Sequence, residues 1–181
     1  MNDMVLILKA AAFAAHKHRD QRRKDAKATP YINHPIEVAR VLCEEGDVQD
    51  PKILAAALLH DTIEDTETSY EELRGEFGAP IADIVAEVTD DKTLEKAERK
   101  RRQVAKAAGS SLAAQQIKIA DKLRNLRDIL AHPPAKWTEE RKREYFDWAK
   151  TVVDRVRGAN PRLAGEFDQV YGVRGGGSTT S

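Results

Sequence analysis

The stretch from Ala55 to Asp65 constrains this chain more than any other. Ala55, Ala56, Ala57, Leu58 and Leu59 are apolar on almost every side, so this half is expected to be buried in a core. His60, Asp61, Glu64 and Asp65 follow. On one continuous helix these four fall within roughly 140° of arc and share a face. Carboxylates at a helix C-terminus oppose the macrodipole by about 0.3–1 kcal/mol each. Asp61 and Asp65, one turn apart, add like-charge repulsion of about 0.2–0.5 kcal/mol. Several local rules broken together, on a helix otherwise built for a core, point to a site. A divalent cation would relieve the conflict, since His60 and Asp61 are both good ligands. The alternative is a helix end frayed into water with its acids solvated.

The chain around this stretch has 181 residues, enough for one core. Its 30 basic and 30 acidic residues cancel, so bulk charge argues against a dedicated nucleic-acid binder and leaves any anion site to local clustering. Cys43 is the only cysteine, which excludes an internal disulfide, and its apolar helical setting predicts a buried, inert thiol. The run from Met4 to Ala15 lacks a basic start and reads as a helix rather than a signal peptide. No stretch reaches the roughly 18 apolar residues of a membrane span, so the cytoplasm is the expected location.

Helix-period patterning dominates, and the expected fold class is all-α. A first helix is expected from Asp3 to Asp20, with Val5, Leu8, Ala12 and Ala15 on its apolar side. A loop over Asp25–Thr29 leads to a helix capped by Asn33 or His34, with Pro35 at its first position and Gly46 at its stop. Asp50-Pro51 starts the next. Ser69 and Glu72 have capping-box spacing for a helix through Phe77, ended by Gly78. Pro80 begins another. Leu94–Ala108 reads as a strongly basic helix. Leu112–Ala131 reads as the clearest amphipathic helix, with Ile119, Leu123, Leu126 and Leu130 as its apolar stripe and Asp121, Asn125 and Asp128 opposite. Thr138 caps a further helix, and Asn160-Pro161 precedes the last. Residues 1–172 are expected to form one domain, with 173–181 a mobile Gly/Ser/Thr tail.

His34, His60, Asp61 and Asp121 are the candidate metal ligands. Two imidazoles and two carboxylates suit manganese, iron or zinc better than calcium. They sit on three helices, so only the adjacent His60-Asp61 pair is a local signal. Glu64 and Asp65, one turn beyond that pair, are placed to orient a metal-bound water or take its proton. Arg22, Arg23 and Lys24 form a basic cluster able to meet phosphates, and Lys92, Lys96, Arg99 and Arg141 add positive charge. The run Arg99–Arg102 reads mainly as a solvated face. His16, His18 and His132 read as structural. There is no Gly-rich phosphate loop and no Ser or Cys nucleophile with a base. Metal-assisted hydrolysis of a phosphate ester is the reaction class left.

At His34, His60-Asp61 and Asp121 the chain resembles the HD superfamily of metal-dependent phosphohydrolases. Thr29-Pro-Tyr-Ile-Asn-His-Pro35, Ala57-Leu-Leu-His-Asp-Thr-Ile-Glu-Asp65, Val88-Thr-Asp-Asp-Lys-Thr93 and Ile119-Ala-Asp-Lys-Leu-Arg-Asn-Leu-Arg127 occur together and in order. They extend the resemblance to the hydrolase domain of the RelA/SpoT family, in its stand-alone small alarmone hydrolase form of the metazoan SpoT-homologue type. The segments Thr89–Thr93 and Glu144–Trp148 carry that subtype. The resemblance implies an all-helical HD bundle and Mn2+ held by His34, His60, Asp61 and Asp121, with Glu64 and Asp65 activating water. It implies guanosine 3′,5′-bis(diphosphate) (ppGpp) or its pentaphosphate relative as substrate, giving GDP or GTP plus pyrophosphate. It puts Arg23, Lys24 and Asn125 at the nucleotide, and Lys96 and Arg141 facing phosphates. No synthetase or regulatory domain follows, so degradation alone is expected. Removal of a phosphate from NADPH is the neighbouring enzyme alternative, and a non-catalytic HD module that binds nucleotide or RNA is the alternative from another class. No stable nucleic-acid partner and no membrane association are expected, and self-association is left open.

Overall fold

The computed structural model describes residues 2–173; the proposed tail lies outside the described residues except for Val173. Within them all the regular elements are helices, with no strand and two isolated bridges, Arg22 to Pro30 and Asp25 to Pro134. The helices are α1 (Asp3–Lys17), α2 (Asn33–Glu44), α3 (Pro51–Leu59), α4 (Thr62–Asp65), α5 (Tyr70–Phe77), α6 (Ala79–Val88), α7 (Lys96–Ala107), α8 (Leu112–Ala131), α9 (Glu139–Val156) and α10 (Pro161–Val173).

Two helices carry the bundle. α3 is packed by α1, α2, α6 and α8, and α8 by α2, α6, α9 and α10. Small side chains make the first crossing close: Ala10 and Ala14 of α1 and Ala55, Ala56 and Ala57 of α3 are all fully buried. The outer face of α1 is therefore the one holding Val5, Leu8, Ala12 and Ala15, opposite to expectation; Leu8 is 63% exposed. An alanine- and leucine-rich helix is apolar all round, so periodicity does not say which side meets a partner. α8 also departs from a simple amphipathic helix. Ile119, Leu123 and Leu126 are buried as expected, but so are Ile117, Lys118, Ala120, Lys122 and Ile129, while Leu130 is exposed.

Local capping matches the sequence at Asp50, Ser69 and Thr138, and Ser111 adds a cap that was not expected there. Asp50, Ser69, Ser111 and Thr138 each accept a backbone N–H of the following first turn. α2 begins at Asn33 and has no side-chain cap, so neither Asn33 nor His34 serves as one. α1 ends at Lys17, and His18 is its buried C-cap. Cys43 is half-buried rather than sealed.

The main correction falls on the central stretch. It is not one helix: α3 stops at Leu59 and α4 begins at Thr62. His60 Nδ1 donates to the Ala57 carbonyl at 2.7 Å and Thr62 Oγ1 to the Leu59 carbonyl at 2.7 Å. Side-chain donors thus take carbonyls that the helix ladder would otherwise use. The His60-Asp61 pair stands at the resulting bend.

At the end of α2, Gly46 meets a crowded corner. Asn160 Nδ2 donates to its carbonyl at 2.9 Å, and a Cβ at position 46 would lie 2.7 Å from the Leu42 carbonyl oxygen and 2.9 Å from Leu163 Cδ1. Gly75, within α5, has nothing within 4 Å of such a Cβ. Gly46→Ala should lower stability by about 1–3 kcal/mol, and Gly75→Ala should raise it by about 0.5–1 kcal/mol. Thermal unfolding of both variants checks this; an undisturbed Gly46→Ala would contradict the close approach.

Candidate active site

Three elements meet at the donor cluster. The first turn of α2 supplies His34, the α3–α4 bend supplies His60 and Asp61, and the middle of α8 supplies Asp121. One donor atom each from His34, His60 and Asp121 lies within 4.8 Å of the others. Asp61 joins them: its Oδ2 is 3.8 Å from His34 Nε2 and 3.1 Å from His60 Nε2. Asp121 Oδ1 is 3.1 Å from His34 Nε2 and 3.9 Å from His60 Nε2. The four candidates named from sequence are thus brought onto one centre.

The surroundings fix which atoms point inward. With His60 Nδ1 bound to the Ala57 carbonyl, Nε2 faces the carboxylates, buried and without a hydrogen bond. A buried nitrogen so placed suits a metal ligand whose other ring nitrogen is held by a backbone carbonyl. Asp121 Oδ2 accepts from Lys122 Nζ at 2.8 Å, and its Oδ1 accepts from Asn125 Nδ2 at 2.7 Å. Asp61 Oδ2 accepts from the Tyr31 hydroxyl at 2.6 Å. A mixed nitrogen and oxygen donor set fits a divalent transition-metal ion.

Burial and charge pull against each other here. Burial pulls the His60 imidazole down, but Asp61 and Asp121 more than offset it and lift it to about 9. Burial pushes Asp61 up, yet His60 and His34 hold it below the ordinary carboxylate range. Asp121 behaves alike, held well down by Lys122 and His34 against burial. Burial and the Asp61 and Asp65 carboxylates hold the Tyr31 phenol well above its ordinary range, so it remains a donor.

Glu64 and Asp65 line the same small recess, about 150 Å³. Glu64 Oε2 accepts from the Asp90 backbone N–H at 3.1 Å. Burial pushes its carboxyl up to about 7, helped by the nearby Asp61 and Asp90 charges. Asp65 is ion-paired with Lys92, so that lysine is engaged with a carboxylate.

The recess shares Arg23, Tyr31, His34, Asp65 and Asn125 with a cavity of about 870 Å³. The segment between α1 and α2 shapes its rim. Asp25 accepts from Thr29 N and Oγ1 at 3.0 and 2.7 Å, and the Lys24 carbonyl accepts from Ala135 N at 3.0 Å. Arg23 donates to Asn125 Oδ1 at 3.2 Å and to Asp128 Oδ2 at 3.0 Å, with its guanidinium 5.7 Å from the Tyr31 ring centre. Arg22 instead folds back onto the carbonyls of Arg19 and Gln21. A second cleft of about 210 Å³ gathers Lys24, Lys96, Arg99, Lys100 and Arg141 beside Trp137, Tyr145 and Trp148. Lys96 and Arg141 therefore stand in this side cleft and not in the main cavity. Burial and the Arg141, Lys24 and Arg99 cations pull the Lys96 ammonium down. Arg99, expected on a solvated face, lines the cleft with its Nε buried, while Arg101 and Arg102 pair with Glu98 at the surface.

Sequence reasoning missed Tyr31 and Lys122 as partners of the donor carboxylates. Lys122 is buried, with Nζ 4.6 Å from the Trp148 ring centre. Its sequence signal was a lysine directly after Asp121, one turn beyond Lys118, on a helix that is otherwise largely apolar.

An HD domain family model matches residues 10–148. The Xenopus tropicalis guanosine-3′,5′-bis(diphosphate) 3′-pyrophosphohydrolase MESH1 is 54% identical over 170 residues, covering 94% of this chain and 95% of the relative. The Homo sapiens protein of the same name is 53% identical, covering 93% and 94%. A solved structure, described as a metazoan ortholog of SpoT that hydrolyzes ppGpp, superposes with a TM-score of 0.91 at 49% identity, covering 94% of this chain and 96% of that one. On the helical bundle, the converging His and Asp donors and these matches, the chain belongs to the HD-domain family, among the MESH1-type relatives of SpoT.

Proposed function

We propose that this protein is a Mn2+-dependent hydrolase that removes the 3′-pyrophosphate of ppGpp or its pentaphosphate relative. The observation that carries this is the convergence of His34, His60, Asp61 and Asp121 beside Glu64, in a recess that opens into a large cavity adjoining a basic cleft. The names borne by relatives that share over half their residues with this chain supply the substrate.

His34, His60, Asp61 and Asp121 hold the cation. When bound, it neutralises phosphoryl charge and lowers the pKa of a water. Glu64 takes the proton of the attacking water; an acid poised near neutrality is matched to that task. The water oxygen bonds to the phosphorus nearest the ribose, the bond from that phosphorus to the 3′-oxygen breaks, and the 3′-oxygen takes up a proton. Asp65, kept in place by Lys92, orients the water. Arg23, fixed by Asp128 and Asn125, offers its plane to the base, and Lys24 meets phosphate. Lys96 and Arg141 receive the distal phosphates in the side cleft. The cytoplasm is the proposed location, in keeping with the absence, among the described residues, of a helix long and apolar enough to cross a membrane.

Purified protein with Mn2+ should release pyrophosphate from ppGpp, lose the activity to a chelator, and regain it on adding Mn2+. NADPH run alongside should release phosphate more slowly. No turnover of ppGpp with metal present would refute the proposal, and faster turnover of NADPH would reassign the substrate.

Glu64→Gln should reduce kcat at least 100-fold and should stabilise the chelator-treated protein. The sign follows from linkage. A carboxyl lifted from 4.5 to about 7 in the fold costs nothing well below pH 4.5, where both states are protonated, and little at 4.5 itself. The cost grows as pH rises and is complete above 7, at up to about 3–4 kcal/mol. Glutamine mimics the protonated form, so its stabilising effect should appear at pH 8 and be small near pH 4.5. Denaturant melts at the two pH values check this; equal differences at both would contradict the lifted carboxyl.

A further inference from the structure

Gln103, on α7, lines both the donor recess and the basic side cleft. Its Nε2 donates to Asp90 Oδ2. The backbone N–H of that same Asp90 donates to Glu64 Oε2. The segment between α6 and α7 is braced around this contact. Thr89 Oγ1 donates to the Val85 carbonyl at 2.7 Å, and Asp91 Oδ1 accepts from Thr93 N and Oγ1 at 2.9 and 2.6 Å. α7 is itself tied down, since Trp148 Nε1 donates to the Lys100 carbonyl at 3.2 Å.

Glu64 needs such support from outside its own element. α4 has four residues, too few to hold a side chain by helical stability. The backbone amide of Asp90 is the hydrogen-bond donor that the structure gives to the Glu64 carboxylate. An amide in an irregular segment orients its acceptor only as well as the segment is held, and here the Asp90 side chain is held by Gln103. We propose that Gln103 is a positioning residue for the hydrolysis: by fixing Asp90 it fixes the amide that orients Glu64, and it joins the α7 wall of the side cleft to the reaction centre. This rests on the assignment of Glu64 as the base.

The test is steady-state kinetics on Gln103→Leu, which keeps the bulk and removes the donor. The expected result is a fall in kcat of about 10–100-fold, the range typical of partners that orient a reacting group, with KM within about twofold. Asp90→Ala, in an irregular segment, should show the same fall and stands in if Gln103→Leu melts early. The double variant Gln103→Leu/Asp90→Ala should be no worse than the worse single one, because both remove one device. Asp90→Asn, whose amide oxygen still accepts from Gln103, should keep most of the activity. An unchanged kcat for Gln103→Leu overturns the proposal. So does a loss confined to KM, which would mark a direct substrate contact, and so does a double variant in which the two losses multiply. If Glu64→Gln turns over normally, the assignment of the base fails first; if Glu64→Gln is inactive while Gln103→Leu is unimpaired, only the role of Gln103 falls.

Discussion

Two carboxylates, Asp61 and Asp121, are driven into the interior against a pair of imidazoles, and the rest of the molecule is arranged to make that tolerable. Each acid side chain is only 16% exposed, and the histidines less. Unpaired charges at such depth would cost several kcal/mol each. The compensation comes from every side: Lys122 and Asn125 on α8, the Tyr31 hydroxyl ahead of α2, and the imidazoles themselves. The alanines of α1 and α3 let those helices approach closely, while the large apolar side chains of α8 fill the space behind. The cluster is the point where α2, α3 and α8 are all in mutual contact.

The spaces around that cluster form a graded series. The recess holding the donors and Glu64 is small. It opens through Arg23, Tyr31 and Asn125 into the large cavity, which in turn shares Lys24, Trp137 and Tyr145 with the basic cleft. Negative charge is concentrated at one end and positive charge at the other. The zero net charge of the chain conceals this separation.

Much of this was legible in the residues. The helix starts at Asp50, Ser69 and Thr138 were readable because capping is a local side-chain-to-backbone contact. His60-Asp61 stood out because acid beside an alanine-rich run breaks local rules. Convergence with His34 and Asp121 was not readable from spacing, since it depends on how three helices cross. The bend at His60 was missed because the donors that cause it, His60 Nδ1 and Thr62 Oγ1, act on carbonyls of the preceding turn and leave no periodic trace. The buried side of α1 was missed for the opposite reason, an excess of apolar residues all round. Read from the residues alone, Lys96, Arg99 and Arg141 were only cations, with the resemblance turning Lys96 and Arg141 toward phosphates; their gathering in a side cleft is a product of α7 lying against α9.

The most direct test of the account is anomalous diffraction from crystals of the full chain grown with Mn2+. A single strong peak should stand within coordination distance of His34 Nε2, His60 Nε2, one oxygen of Asp61 and one of Asp121, with Glu64 near it but outside that distance. A peak elsewhere, or one held by Glu64 and Asp65 without the histidines, would contradict it.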